Sequence, residues 1–303
     1  MPNESPVAAP SGAFSLPGAE LARIARLVTG KGGGNIPFKA IAFEIGDGTV
    51  KVLHMDELKA RVMYATFAAE VKEAGTIVVH DTPRFLDYID SSLFAGSDKV
   101  LLKSEAGKIT ITDGTRSITT GSAPKDLVAQ PSQPTLKDAY GAAPNGAMVS
   151  GHPKHRPNGG TWDDWVKAGY MIFTTTPAEL QKLLAAGTLA AKHGYKNALY
   201  RFEVGDTVTV RVQEARDQTA DSINYGPLTG VLAAPVHTWF SLRHDLVEPL
   251  WTSLSAIKAK EVTLMHHPDD GSFNVIVSEE QPTALRLGEK ITCFERARAQ
   301  RKE

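Results

Sequence analysis

The sequence predicts an α+β fold made of two copies of one structural unit. The segment FSLPGAEL from Phe14 returns 159 positions later as FTTTPAEL, and FEIGD from Phe43 returns as FEVGD at the same offset. TVKV from Thr49 returns as TVRV one position beyond that offset, which we attribute to one residue inserted in a turn. Because the matches keep their order along the chain, duplication explains them better than chance.

Hydrophobic periodicity predicts the elements of the first copy. Apolar residues at helical spacing after Pro17 predict a helix over 19–28, and Thr82 with Pro83 opens a second helix that extends to Leu93. Alternation of apolar and polar residues predicts strands at 39–46, 48–55, 60–70, 76–80, 98–104, 107–112 and 115–119. The predicted order is strand, helix, three strands, one strand, helix, three strands.

The second copy is predicted to follow the same order. Its helices are expected near 177–186 and 241–256, so that Arg243 is aligned with Arg84 of the first copy. Its strands are expected near 198–204, 207–213, 223–231, 235–240, 260–265 and 273–278.

Length and composition divide the chain into two domains joined by a long linker. A chain of 303 residues suits two domains of about 150 residues each. Proline, glycine, alanine and serine are concentrated between the repeats, and a connector of such length is either partly disordered or functional. The predicted divisions are a flexible N-terminus at 1–13, a first domain at 14–120, a linker at 121–169, a second domain at 170–290 and a basic tail at 291–303.

The charge balance and the cysteine count exclude several classes of protein. Lys and Arg number 33 against 34 Asp and Glu, so the chain is not a general polycation that coats nucleic acid or membranes, although a local basic face is compatible with this balance. The single cysteine, Cys293, excludes an intrachain disulfide and a cysteine zinc site and indicates a reducing setting. The sequence shows neither a signal peptide nor an apolar run that could span a membrane, so we expect a cytoplasmic protein.

The motifs that could carry catalysis or hold a cofactor are weak. The glycine-rich segment 30–34 follows a helix and lacks the P-loop pattern. The histidines within 152–155 and 266–267 lack further ligands at metal-binding spacing, and Asp163 and Asp164 are adjacent, so their side chains diverge. We therefore expect no catalytic residue, no metal and no cofactor.

Basic residues on one face of the first helix are the main functional signal. Arg23 and Arg26 are spaced i, i+3 on the side opposite Leu21 and Ile24, so both can point away from the sheet. Cations repeated on parallel helices can follow phosphates without reading bases. The predicted DNA-binding residues of the two copies are Arg23, Arg26, Lys31, Lys39, Lys182, Lys192, Lys196 and Arg243.

The duplicated unit resembles the DNA sliding clamp family, in particular the proliferating cell nuclear antigen type with two such domains per subunit. LPGAELARIAR from Leu16 resembles the end of the family's opening strand and its basic first helix. HMDELKA from His54 resembles the Met-Asp loop and the strand beside the partner-binding pocket. FSLR from Phe240, with EVTL from Glu261, resembles the start of the second-domain helix and a later strand. The resemblance covers most of both repeats.

The resemblance implies a homotrimeric ring that encloses duplex DNA, with helices lining the hole and sheets outside. Such a ring would be a DNA polymerase processivity factor in DNA replication, because it keeps the polymerase at high effective concentration near the primer end. A clamp loader and other clamp-binding proteins would be its further partners. The implied pocket for partner peptides maps to Met55, Leu58, Ala60, Leu127 and Val128. The long linker and extended termini suggest a divergent viral or phage member, which would act in a host cytoplasm or at a nucleoid.

Two alternatives to the closed ring are compatible with the sequence. A processivity subunit with the clamp fold could act as a monomer or dimer and hold DNA by charge alone, with a stronger dependence on salt. In a different class, an enzyme could build its site from the linker segment 152–165, with His152, His155, Asp163 and Asp164 as the residues to test.

Overall fold

The computed structural model describes most of the two repeats and parts of the segment between them. The described residues are 11–29, 40–55, 61–90, 92–123, 140–144, 148–150, 153–157, 160–193, 198–214, 223–225, 228, 232–233, 238–244, 248, 261–269, 272–277 and 285–290.

The described part of the first unit contains two antiparallel sheets and two helices. Its elements are β1 (Gly12–Leu16), α1 (Gly18–Thr29), β2 (Ile41–Gly46), β3 (Thr49–Met55), β4 (Arg61–Ala68), β5 (Glu70–Glu73), β6 (Gly75–Val79), α2 (Thr82–Asp90), β7 (Val100–Glu105), β8 (Lys108–Thr112) and β9 (Ser117–Gly121). One sheet has the strand order β5-β1-β7-β8-β9, and the other contains the run β4-β3-β2-β6. The two helices pack against each other.

The second unit repeats this arrangement strand for strand. Its elements are β12 (Met171–Thr175), α4 (Pro177–Lys192), β13 (Ala198–Val204), β14 (Val208–Glu214), β15 (Ile223–Tyr225), β16 (Leu232–Ala233), β17 (Thr238–Arg243), β18 (Val262–His266), β19 (Ser272–Val277) and β20 (Leu285–Lys290). The orders β16-β12-β18-β19-β20 and β15-β14-β13-β17 match those of the first unit position by position. The predicted α+β fold with an internal duplication is therefore confirmed.

The repeated sequence motifs supply the same aromatic pair to each core. Phe14 and Phe43 are buried with their ring centroids 5.8 Å apart, and Phe173 and Phe202 are buried with theirs 6.1 Å apart. Burying a phenylalanine stabilises a fold by about 1.5–3 kcal/mol, and a tilted aromatic pair adds about 0.5–1.5 kcal/mol. The duplication is visible in the sequence because both copies need the same core contact.

A continuous sheet joins the two units. β20, the last described strand, pairs antiparallel with β4 of the first unit, with Leu287 opposite Met63. The pairing merges one sheet of each unit into a nine-stranded sheet of order β16-β12-β18-β19-β20-β4-β3-β2-β6.

The segment between the repeats contains secondary structure of its own. It includes β10 (Tyr140–Ala142), β11 (Met148–Ser150) and α3 (Trp162–Lys167). Trp165 of α3 is fully buried in a cluster with Tyr170, Ile172, Met265 and three further apolar side chains. Because Met171 and Phe173 face the main core, their neighbour Ile172 lies on the opposite face of the sheet. The segment therefore covers part of the sheet's outer face.

Several predicted element boundaries are wrong, each for a physical reason. The strand expected at 60–70 is divided into β4 and the short, polar β5, which has no hydrophobic alternation to indicate it. Of the strand expected at 223–231 the structure describes β15 at Ile223–Tyr225, and the next described strand, β16, belongs to a different sheet. The helix expected from 241 begins after Arg243, since β17 alternates buried and exposed residues to that point. Among the described residues no helix is long and apolar enough to cross a membrane.

Candidate nucleic-acid interface

The exposed side of α1 carries the first pair of predicted DNA-binding residues. The helix buries Leu21, Ile24 and Ala25, and Arg26 is exposed on the other side. Arg23 forms an ion pair with Glu20, three residues earlier, and only 13% of its side chain is exposed. Arg26 is thus the more accessible of the two to a phosphate, and Arg23 would have to leave the Glu20 carboxylate to reach one.

The start of α4 is fixed by side-chain caps. The hydroxyl of Thr176 accepts a hydrogen bond of 3.2 Å from the Glu179 amide, and Pro177 occupies the first turn. The Thr175 hydroxyl donates a hydrogen bond of 2.8 Å to the Glu179 carboxylate. These contacts fix where the helix begins, and therefore which residues face outward along its length.

The outward face of α4 carries two lysines. The helix buries Leu180, Leu183 and Ala190 and exposes Lys182 and Lys192, which lie on one side because ten residues nearly complete three helical turns. The two lysines are about 15 Å apart along the axis at the usual helical rise. The other exposed side chains described on this helix are alanine, leucine and glutamine, so the face carries positive charge without an exposed carboxylate among its described residues.

The duplication places one cation of each helix at the same position. Arg23 and Lys182 are separated by the offset that relates Phe14 to Phe173, and each follows the start of its helix by five residues. Each of the two helices therefore carries a basic residue at the same position of the repeat. Such an arrangement suits phosphates, which repeat along a duplex without regard to sequence.

Arg243 does not belong to this helix face. Phe240 and Leu242 of β17 face the core, so Arg243 projects from the solvent side of the sheet. Its predicted alignment with Arg84 is wrong, because Arg84 lies in α2. Lys31, Lys39 and Lys196 lie outside the described residues, and contact of any of the eight residues with DNA stays a prediction.

The predicted pocket for partner peptides falls mostly outside the described residues. Met55 is the last residue of β3, where the backbone is described. The other four predicted residues, Leu58, Ala60, Leu127 and Val128, lie beyond the described ranges. The pocket assignment stays a prediction.

The residues of the alternative enzyme hypothesis have structural contacts. The Asp164 carboxylate accepts hydrogen bonds from the amide and hydroxyl of Thr161 at 2.7 and 2.9 Å, which holds the pKa of Asp164 below its usual range. The His155 ring stacks on His267 with centroids 4.3 Å apart. Asp163 is exposed, and His152 lies outside the described residues. Within the described ranges, no three His, Cys, Asp or Glu side chains form a group that could hold a metal ion.

A cleft beside α2 was not indicated by the sequence. It encloses about 420 Å³ between the end of β6, the start of α2 and the end of β9. The Arg84 guanidinium lies in it, donates a 2.6 Å hydrogen bond from Nε to the Tyr88 hydroxyl, and lies 5.5 Å from the centre of that ring. The cleft has no sequence signature because its walls come from three separate stretches of chain.

Two solved structures share this fold. The DNA polymerase III beta subunit of Thermotoga maritima aligns with a TM-score of 0.59 and 10% identity, over 95% of this chain and 67% of that chain. The complex of the C-terminal region of FEN-1 with A. fulgidus PCNA aligns with a TM-score of 0.60 and 11% identity, over 92% of this chain and 97% of that chain. No protein-family profile and no curated protein matches the sequence.

The chain therefore has the fold of the DNA sliding clamps, with two clamp units in one polypeptide. The resemblance inferred from the repeated motifs is confirmed at the level of the fold.

Proposed function

We propose that this protein is a DNA polymerase processivity factor, a sliding clamp that closes around duplex DNA and tethers the polymerase and other partners. The observation that carries the proposal is the pairing of β20 with β4, which joins two like units edge to edge. That junction has a direct counterpart in the edge strands on the far side of each unit. The strands equivalent to β20 and β4 are β9 in the first unit and β15 in the second.

β9 and β15 are suited to pair between two copies of the chain. In the described sheets each is an edge strand with one neighbour, and open edges of this kind readily pair with another chain. Ile118 of β9 and Ile223 of β15 are only partly buried, although both pack against the core. A second copy seated on these edges would complete their burial.

The register of the proposed contact follows from the duplication. In the existing junction Leu287 lies opposite Met63. Following the strand pairings through both units makes Ile118 the counterpart of Leu287 and Ile223 the counterpart of Met63. We therefore expect Ile118 of one copy opposite Ile223 of the next.

Repetition of this contact gives a closed ring when its rotation closes. By resemblance to two-unit clamps we propose three copies, with the exposed faces of α1 and α4 lining the hole. The cations there, Arg26, Lys182 and Lys192 among them, would make weak, salt-sensitive and sequence-independent contacts with the duplex. Enclosure, not affinity, would then keep the polymerase near the primer end, and the protein itself would be non-catalytic. The FEN-1 segment on A. fulgidus PCNA supports a similar use of partner peptides here.

Disulfide cross-linking tests the ring and its register together. In a full-length Cys293→Ser background, Ile118→Cys and Ile223→Cys are combined and the protein is oxidised. Opposed antiparallel residues have Cα atoms about 4.5–5.5 Å apart, within the range a disulfide spans. We expect covalently closed trimers on a non-reducing gel, and a mass near three chains by light scattering before oxidation.

Matched controls make the result specific. Each single cysteine variant should give no closed species, and Thr119→Cys with Ile223→Cys should cross-link poorly because the two thiols would point to opposite faces. A stable monomer on dilution, or equal cross-linking in both double variants, would refute the ring. A monomer with strongly salt-dependent DNA binding would favour the processivity subunit that acts by charge alone.

A further inference from the structure

The solvent face of the second unit's four-stranded sheet carries a compact group of arginines. Tyr200 and Phe202 of β13 face the core, so Arg201 projects outward. By the same alternation Arg211 of β14 and Trp239 of β17 project from that face. We refer to Arg201, Arg211, Arg243 and Trp239 as the arginine patch.

Two of these arginines oppose each other directly. Arg201 and Arg211 are partners in the pairing of β13 with β14, and like charges in that position destabilise a sheet. The guanidinium carbon of Arg201 lies 4.3 Å from the centre of the Trp239 ring. Its Nε lies 3.3 Å from Glu203 Oε1, and this contact is an ion pair that lacks hydrogen-bond geometry. Arg211 donates a 3.2 Å hydrogen bond to the Asn224 side chain. Glu203 therefore balances one of the two positive charges of the opposed pair Arg201 and Arg211.

The first unit shows that the fold does not require these charges. The counterpart of Arg201 is Ala42, which pairs with Val78 as Arg201 pairs with Ser241. Ala42 and Val78 are buried in a small apolar cluster with Ala123, from the chain that leaves β9. The first unit thus fills this position with apolar side chains of its own chain, whereas the second unit places Arg201 at the same position.

We propose that the arginine patch binds an acidic peptide segment of a partner protein. Guanidinium groups form paired hydrogen bonds with carboxylates, and clusters of arginine are a recurring means of recognising acidic motifs. The Trp239 ring holds Arg201 in place, which lowers the entropy lost when a ligand binds. The binding energy of such a segment offsets the repulsion between Arg201 and Arg211.

The extent and charge of the patch favour a short acidic peptide over other occupants. Single-stranded nucleic acid needs a cationic groove several nucleotides long, with aromatic rings exposed for stacking. Here the cations occupy neighbouring positions on three strands, and the Trp239 ring is engaged by Arg201. The segment 291–303 of this chain carries four basic residues against two glutamates, so its net positive charge opposes binding at this face.

Fluorescence anisotropy on the full-length protein tests the proposal. The probe is a fluorescein-labelled peptide with four consecutive glutamates between glycine and serine residues, compared with the same peptide carrying glutamines. We expect the glutamate peptide to bind at least tenfold more tightly at low salt, and Arg201→Gln with Arg211→Gln to remove at least tenfold of that affinity. Lys51→Gln with Lys108→Gln, which removes two exposed lysines of the first unit, is the charge-matched control and should bind like the wild type.

A second measurement separates binding from folding. Because Arg211→Gln relieves a like-charge pair, its thermal midpoint should equal or exceed that of the wild type while peptide affinity falls. Equal binding of the two peptides, or an unchanged affinity in the double variant, overturns the proposal. Tighter binding of a labelled single-stranded oligonucleotide through the same arginines would replace it with a nucleic-acid site. A lower midpoint of Arg211→Gln would indicate that the pair serves stability.

Discussion

The hydroxyl of Tyr200 lies 2.7 Å from Nδ1 of His244, and both side chains are buried beneath α4. Burial, followed by the nearby Glu248 carboxylate, raises the pKa of Tyr200 well above its usual value, so the phenol keeps its proton. His244 Nε2 lies 3.8 Å from Glu248 Oε2. The carboxylate favours the tautomer in which Nε2 carries the proton, so Nδ1 accepts the hydrogen bond from the Tyr200 hydroxyl. The contact thus satisfies two buried polar groups where the helix meets the sheet.

Tyr200→Phe should destabilise the fold by about 1–3 kcal/mol, because it leaves His244 Nδ1 buried without its donor. Urea unfolding of the full-length protein measures the change. Tyr225→Phe, in a partly buried tyrosine of β15, is the matched control and should change the free energy of unfolding by less than about 0.5 kcal/mol. Equal effects of the two substitutions would contradict a specific role for the Tyr200–His244 contact.

Gly187→Ala should be more damaging, although alanine is the better helix former. A Cβ at Gly187 would lie 1.9 Å from the Tyr200 hydroxyl and 2.5 Å from His244 Nδ1. We expect a loss of about 2–4 kcal/mol in the free energy of unfolding. Because Tyr200→Phe removes the nearest atom, the double variant should lose less than the sum of the two single losses. Strict additivity would show that the clash is relieved elsewhere.

Trp165→Ala should release the segment between the repeats from the sheet. Trp165 is fully buried against Tyr170, with ring centroids 4.9 Å apart, and truncating a buried aromatic side chain costs about 3–5 kcal/mol. Hydrogen exchange should show faster exchange over 162–170, while β2 and β13 keep their protection. Trp162→Ala, in a partly buried neighbour, should have the smaller effect. Loss of protection throughout both units would contradict an independently attached segment.

The stability contributed by Glu70 should depend on pH. Hydrogen bonds from Lys72, Lys99 and Ser15, in that order, lower the pKa of Glu70 from 4.5 to about 2. The folded state therefore favours the ionised carboxylate, and its contribution is present above about pH 4.5 and is lost as the pH falls toward 2. The difference in unfolding midpoint between wild type and Glu70→Gln should shrink across that window. It should also shrink in 1 M salt at pH 7, because this surface pair is exposed.

The core was predictable from the sequence, but the edges of the sheets were not. Phe14 and Phe43 repeat as Phe173 and Phe202 because each copy needs that aromatic contact, and the repeat fixes α1, α4 and their sheets. The exposed strand β5 buries little and β16 is only two residues long, so neither leaves a hydrophobic pattern in the sequence.

The sequence also could not fix how the two repeats align after the turn that joins β2 to β3 and β13 to β14. The motif TVKV returns as TVRV one position late, which predicted an inserted residue and aligned Val52 with Val212. The cross-strand pairing in the structure instead aligns Val52 with Val210. The two alignments differ by two residues, so either one directs valines into the core. Periodicity alone therefore could not choose between them.

The candidate DNA face was partly predictable. Helical spacing correctly placed Arg26 on an exposed side, because that spacing depends on local geometry. It did not reveal that Arg23 is paired with Glu20 or that Arg243 ends a strand. The arginine patch was also missed, since its members come from three strands that meet only when the sheet forms.

The pairing of β4 with β20 also determines when the protein can finish folding. β4 ends at Ala68 and its partner begins at Leu285, so synthesis of the intervening chain takes on the order of tens of seconds at ordinary ribosomal rates. During that interval the first unit can assemble its own core while β4 is an open edge, a state prone to aggregation or to exchange with a neighbouring chain. The strand that joins the two units thus leaves the ribosome only after every other described strand has been synthesised.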